Sequence, residues 1–236
     1  MNEVDKLKEA ISKSNNIVCL TGAGVSTESG IKDFRGKDGI SSYADLPLEV
    51  VLSSDYFYSN TEEFYEYYIK CFNCLDKVPN ITHLFMKKLE DEGKLKGVIT
   101  QNVDGLDTKA GIKNVIELHG SIYHNYCTEC FKEYGTDAVF NSKGIPKCEC
   151  GGVIKPHVVL YGESLPEGVI EKSVELLSKA DLLIVLGTSL VVYPAAGLIR
   201  YFRGDTLAII NMDETPYDYS ADIVIHDKLS NVINKL

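Results

Sequence analysis

The run Thr21-Gly22-Ala23-Gly24-Val25-Ser26-Thr27-Glu28-Ser29-Gly30 follows directly on the apolar stretch Ile17-Val18-Cys19-Leu20. That junction constrains the chain more than any other feature. A short apolar run that closes on a glycine-rich turn reads as a buried strand. Such a turn brings backbone N–H groups close to a phosphate. The spacing argues against hydride transfer. The dehydrogenase fingerprint G-x-G-x-x-G needs glycine where Thr27 stands, and no acidic strand end follows about 20 residues on, where a ribose-binding carboxylate belongs. Asp33-Phe34-Arg35 comes instead. The residues point to a dinucleotide site with a different chemistry.

Further apolar runs suit fully buried parallel strands: 98–100, Leu182–Leu186, 207–211 and Ile223–Ile225. Helix-like stretches at 82–93 and 169–180 separate them, which predicts βαβ units and an α/β, doubly wound parallel sheet. The N-terminal stretch has Val4, Leu7 and Ile11 at helical spacing. Two segments break the rhythm. Residues 40–78 are rich in Tyr and Phe and look helical, and residues 121–157 are turn-rich and carry four cysteines. Both are expected to be insertions forming a smaller second part, with the site in the cleft between the parts.

The cysteines give the second signal. Cys127 and Cys130 form C-x-x-C; Cys148 and Cys150 form a tighter C-x-C, followed by Gly151 and Gly152. Two close pairs across a turn-rich insertion are what a structural zinc ribbon needs, each knuckle supplying two thiolates. Four thiolates leave the metal no open position, so the expected role is structural. Cys71 and Cys74 also spell C-x-x-C but have no second pair nearby, and they read with Cys19 as buried thiols.

The third signal is Thr100-Gln101-Asn102-Val103-Asp104-Gly105-Leu106, placed just after a strand, where ligands bind in open α/β sheets. Glu117-Leu118-His119-Gly120 stands close by, and an imidazole titrating near neutrality suits a general base. His83, His124 and His226 lack such a context. The formal net charge of −10 argues against nucleic-acid binding. No apolar run approaches the length of a membrane span and no signal peptide is visible, so a cytoplasmic protein with reduced thiols is expected.

Taken together, these segments resemble the sirtuins, NAD-dependent protein lysine deacylases of bacterial type. The resemblance runs through GAGVSTESGIKDFRG, TQNVDGL, ELHG, the paired cysteines, KPHVVLYGE, GTSLVVYPA and INMDET, and covers essentially the whole chain. It implies a Rossmann-like part from 1–35, 79–120 and 158–236. It also implies a smaller part from a helical module at 36–78 and a zinc ribbon at 121–157. NAD would be a co-substrate and zinc structural. Gly22, Ala23, Thr27, Asp33, Phe34 and Arg35 would meet the diphosphate and nicotinamide ribose; Gln101, Asn102, Val103 and Asp104 the ribose and nicotinamide pocket, with Asp104 bound to the carboxamide; Gly187, Thr188, Ser189 and Asn211 the adenosine side; and Asp227 the adenine pocket.

The resemblance further implies attack of the acyl-lysine oxygen on the nicotinamide ribose, release of nicotinamide, and His119 acting as base on the ribose hydroxyls to give lysine and O-acyl-ADP-ribose. Val159, Tyr161, Gly162 and Glu163 on one side, and Val191, Val192 and Tyr193 on the other, would flank an extended acetyl-lysine peptide. Relatives that take acidic acyl groups carry Tyr-x-x-Arg in the helical module; here Tyr68 stands at the Arg position after Tyr65, so neutral acyl groups are expected, acetyl first. His157 departs from the Asp or Asn common in its loop. The chain is expected to be monomeric. A mono-ADP-ribosyltransferase, a long-chain deacylase and a silent NAD or ADP-ribose sensor on the same scaffold remain as alternatives.

Overall fold

The computed structural model describes residues 2–33 and 46–236; Phe34 and Arg35 lie outside the described residues. The strands are β1 (Ile17–Thr21), β2 (Leu95–Thr100), β3 (Val115–Glu117), β4 (Gly120–Cys127), β5 (Glu133–Tyr134), β6 (Ile154–Val158), β7 (Leu182–Leu186), β8 (Thr206–Ile210) and β9 (Ile223–Ile225). The helices are α1 (Glu3–Lys13), α2 (Leu48–Val51), α3 (Ser54–Ser59), α4 (Thr61–Phe72), α5 (Ile81–Asp91), α6 (Leu106–Lys109), α7 (Asp137–Phe140), α8 (Val169–Ser178) and α9 (Leu229–Ile233). No helix among the described residues is long and apolar enough to cross a membrane.

Six strands form one parallel sheet in the order β3-β2-β1-β7-β8-β9. Because successive side chains in a strand point to opposite faces, each central strand feeds two cores. Ile17, Cys19, Leu182, Ile184 and Leu186 pack with Leu7 of α1, Met86 and Leu89 of α5 and Val232 of α9. Val18, Leu20, Leu183 and Val185 pack on the other face with Leu177 of α8 and with Leu198 and Ile199 of a 3-10 helix, Ala195–Tyr201. Burial on both faces is why these strands read as unbroken apolar runs.

Three details differ from the sequence expectation. β2 begins at Leu95, three residues early, because Lys96 and Gly97 interrupt the apolar run while the backbone already pairs with β1. β8 ends at Ile210, and Asn211 lies beyond it. β3 was not anticipated: it is a three-residue edge strand, too short to leave a pattern. Cys71 lies in α4 but Cys74 lies past its end, and both thiols are free.

The insertions share a third core. β4, β5 and β6 form an antiparallel sheet, and its Ile154 and Val158 pack with Phe57, Phe64, Tyr65 and Tyr68 of α3 and α4. Tyr68 stacks between Phe72 at 4.8 Å and Phe140 at 5.8 Å, and the Tyr65 hydroxyl donates to the Ile154 carbonyl.

The strand order reverses between β1 and β7, so the loops leaving their C-terminal ends diverge and open a crevice, where α/β sheets bind ligands. The glycine-rich loop after β1 is braced from behind by Asn80. Its side chain caps α5 by accepting from Thr82 N at 2.9 Å, and its amide donates to the Val25 carbonyl at 2.8 Å and to Ser29 Oγ at 3.0 Å. Asn80→Ala removes cap and brace together. It should lower stability by about 1–2 kcal/mol, seen as a reduced urea midpoint with an unchanged slope.

Candidate functional site

The crevice is built on a backbone contact. The Gly24 N–H donates to the Gly187 carbonyl at 2.8 Å. A Cβ on Gly24 would lie 2.8 Å from the Gly187 Cα, and a Cβ on Gly187, whose φ is +58°, would lie 2.5 Å from the Val25 nitrogen. Neither position has room for a side chain. The turns at Ala23–Val25 and Thr27–Ser29 are thereby pressed against the end of β7.

Around this contact lies a cavity of about 1080 Å³. It exceeds the usual upper range of about 1,000 Å³ for one small ligand, so it has room for two substrates. Gly22, Ala23, Thr27, Asp33, Gln101, Asn102, Val103, His119, Gly187, Thr188, Ser189, Asn211 and Asp227 line it, as do Val159, Tyr161, Gly162, Glu163, Val192 and Tyr193. The sequence therefore selected residues from loops after β1, β2, β3, β6, β7, β8 and β9 that the fold brings to one space. Asp104 and Val191 do not line it.

Several of these groups hold one another. Asn102 Nδ2 donates to the Gly22 carbonyl at 3.0 Å and to Ser26 Oγ at 3.2 Å. The Ser26 hydroxyl donates to Asp104 Oδ2 at 2.6 Å, and Asp104 Oδ1 accepts from Leu106 N at 2.9 Å. Asp104 thus stands one layer behind the wall, bracing the loop through Ser26; its carboxyl is pushed up by burial, against those two hydrogen bonds. Gln101 Nε2 donates to Thr188 Oγ1 at 3.0 Å, tying β2's loop to β7's. Asp227 Oδ1 accepts from Lys228 N and Asn231 Nδ2, both at 2.7 Å, and so ties the start of α9 to the cavity rim.

His119 lies just before β4, on the cavity wall. Its Nδ1 is 3.0 Å from the Gln101 carbonyl. A carbonyl only accepts, so Nδ1 carries the proton and Nε2 keeps a lone pair. Burial holds the imidazole below its ordinary pKa, partly offset by this hydrogen bond. The site therefore contains a neutral, oriented base.

On the opposite wall, Leu52, Tyr68, Phe72, Val158 and Leu160 make an apolar recess. The Tyr68 hydroxyl is buried without a hydrogen-bond partner among the described residues. Lys228 is the only lysine or arginine among the described lining residues, and it belongs to the α9 end. The sequence reading missed Ser26 and the wall residues Leu52 and Phe72. It also missed Lys155, which is 2% exposed in β6 and lies over the rings of Phe57 and Tyr126. Its Nζ meets Glu163 Oε2 at 3.1 Å, and the same oxygen accepts from Leu160 N at 2.9 Å. A buried cation thus pins the loop that follows β6. A lysine flanked by Ile154 and Pro156 at the start of a strand was the available signal. His157 is exposed and edge-on to Tyr126, away from the cavity.

Cys127, Cys130, Cys148 and Cys150 converge elsewhere, their sulfurs all within 4.8 Å of one another. A tetrahedral zinc with Zn–S of about 2.3 Å sets sulfurs roughly 3.8 Å apart; the Cys127–Cys150 and Cys130–Cys148 pairs stand at 3.4 and 3.6 Å. The Tyr134 hydroxyl donates to Cys148 Sγ at 3.0 Å and leads the groups that lower the pKa of this thiol. The donor set fits a closed structural zinc site, and none of the four lines the cavity.

A sequence profile of the Sir2 family matches residues 22–194. A protein of Clostridium acetobutylicum named NAD-dependent protein deacetylase is 49% identical over 99% of this chain and 97% of its own length. One of the same name from Clostridium perfringens is 48% identical over 100% and 98%. A solved Sir2 variant with deacetylated p53 peptide and 3'-O-acetyl ADP ribose superposes with a TM-score of 0.91 at 39% identity, covering 100% of this chain and 97% of that one. A Sir2 structure with p53 peptide and NAD+ gives a TM-score of 0.88 at 38% identity, covering 98% and 96%.

Lys155→Met removes the buried charge and keeps most of the side-chain volume. Glu163 would then lose its cation in a partly solvated place, which should lower stability by about 2–3 kcal/mol. Lys155→Arg should recover part of that loss, both read from chemical denaturation.

Proposed function

The chain belongs to the Sir2 family, and from that premise we propose that it removes acetyl groups from protein lysines with consumption of NAD, releasing nicotinamide and O-acetyl-ADP-ribose. One observation carries the reading: His119, neutral and fixed through Nδ1 to the Gln101 carbonyl, shares a cavity with the glycine-rich loop after β1. NAD bound there supplies the ribose carbon that accepts the acyl oxygen.

The protein's own groups then divide the work. Ala23, Gly24 and Thr27 offer a surface without bulk for the diphosphate, and Gln101, Thr188, Ser189 and Asn211 border the two riboses. Asn102 stands at the nicotinamide end, and Asp104 holds that end in place through Ser26. Phe34 and Arg35 remain expectations outside the described residues. The peptide lies between the loop carrying Val159, Tyr161, Gly162 and Glu163 and the loop carrying Val191, Val192 and Tyr193, directing its acyl-lysine toward Tyr68 and Phe72. An apolar recess with no lysine or arginine among its described residues favours acetyl and other neutral groups, since a buried carboxylate would find no partner among them. Nε2 of His119 takes the proton from a ribose hydroxyl.

Four cysteines around one point support one structural zinc ion, and the other three as free thiols support a reducing, cytoplasmic setting. Metal analysis should find one zinc per chain. A strong chelator should lower the thermal midpoint by on the order of 10 °C.

Incubated with an acetyl-lysine peptide, the protein should lose the acetyl mark only when NAD is present, with matched O-acetyl-ADP-ribose by mass spectrometry. His119→Ala should slow this by roughly 10²–10⁴ with NAD binding kept. The base must be neutral, and burial lowers its pKa. Activity should therefore be fully present above the ordinary imidazole value of about 6.5 and be lost only as pH falls through a lower value. Release of nicotinamide with the acetyl group intact would point to ADP-ribosyl transfer, and NAD binding without turnover to a sensor; either result overturns the proposal.

A further inference from the structure

The sequence contains three arginines, Arg35, Arg200 and Arg203, against 21 lysines. Two of the three line a single hollow of about 530 Å³ on the far side of Tyr193 from the cavity. Four aromatic residues share the wall with them, Tyr193, Phe202, Tyr217 and Tyr219, the last 88% exposed. Tyr193 lines both spaces, so the hollow continues the peptide-binding edge and does not stand apart from it.

The guanidiniums are placed but not neutralised. Arg203 Nη1 donates to the Arg200 and Phe202 carbonyls, closing the end of the Ala195–Tyr201 helix, and its Nε and Nη2 have no partner among the described residues. Arg200 shares the wall with Tyr217, whose hydroxyl is 3.3 Å from the Tyr193 hydroxyl. Among the described residues no carboxylate lies within ion-pair distance of either arginine. The nearest acid in the wall, Asp222, accepts from Leu207 N at 2.8 Å. In a chain with 34 acidic and 24 basic residues, two neighbouring unpaired guanidiniums are unexpected. Capping a helix end needs only one donor, which lysine could supply. The planar fork of arginine is the group that matches a carboxylate with two parallel hydrogen bonds and also stacks on aromatic rings.

We infer that this hollow receives the carboxylate of an aspartate or glutamate in the substrate peptide, next to the acetyl-lysine on the Tyr193 side. The inference rests on the deacetylase reading and deepens it, since it assigns a preference for acidic sequence context to a site that otherwise grips backbone. An extended peptide advances about 3.3 Å per residue, so the side chain concerned lies within a few positions of the acetyl-lysine. The surrounding negative field of the protein disfavours acidic peptides elsewhere, and the two arginines offset it at one point.

The test uses acetyl-lysine peptides that differ by Glu or Gln at each of the three positions on either side. At low salt, Glu at one position should raise kcat/KM about five- to ten-fold, through KM with kcat unchanged. Arg200→Gln and Arg203→Gln should abolish that gain while turnover of the Gln peptide stays the same, which also reports that the variants fold. Arg203→Lys, able to cap the helix still, should keep only part of it. If no position favours Glu, or the gain survives in the double variant, the hollow is not this site, although the Gln peptides still report a deacetylase. Equal slowing of Glu and Gln peptides would assign the arginines a structural role and overturn the inference. If no acetyl peptide is consumed with NAD, the deacetylase reading fails and the inference with it.

Discussion

Everything in the site depends on how closely two backbones meet at the point where the sheet changes direction. β1 and β7 are neighbours, their following loops part company, and Gly24 and Gly187 let those loops touch without side chains between them. A methyl group at either position would collide with backbone, which cannot move aside as a long side chain can. The contact sets the depth of the crevice and the height at which Thr188 and Asn102 enter it. Leu190, 1% exposed at φ +55°, continues this tightly folded course after β7.

Behind the contact lies a polar layer that an ordinary core would not contain. Thr21 and Thr100 join hydroxyls at 2.8 Å between the strand ends, and Ser26, Asn102 and Asp104 interlock above them. Asp107 is buried beside this layer with Oδ1 unpartnered, its carboxyl pushed to about 7 chiefly by burial and then by Asp104's charge. Unpaired buried polar atoms cost about 1–3 kcal/mol each. The sheet tolerates them because strands buried on both faces supply a large apolar surplus on either side.

The insertions contribute a core of their own and one wall of the cavity. The rings of Phe64, Tyr68, Phe72 and Phe140 stack into a block that the β4–β6 sheet covers, and the thiol cluster closes the far end of that sheet. Lys155 then links this body to the loop after β6. Chemistry and scaffold are thus separated in space: the metal-binding thiols stabilise a wall, and the base sits where the wall meets the sheet.

The sequence by itself determined the parallel sheet, the thiol cluster and about half of the cavity lining. These rest on local patterns: unbroken apolar runs where both faces are buried, cysteine pairs at ligand spacing, and polar runs directly after strands. Only the tertiary structure decided what depends on atoms far apart in the chain. Asp104 went behind Ser26 instead of into the cavity, Lys155 found Glu163, β3 formed at an edge, and two of three arginines came together beside Tyr193. Spacing along the chain reports which residues share an element, but whether a side chain faces a cavity or a buried partner is set by elements packed against it from elsewhere.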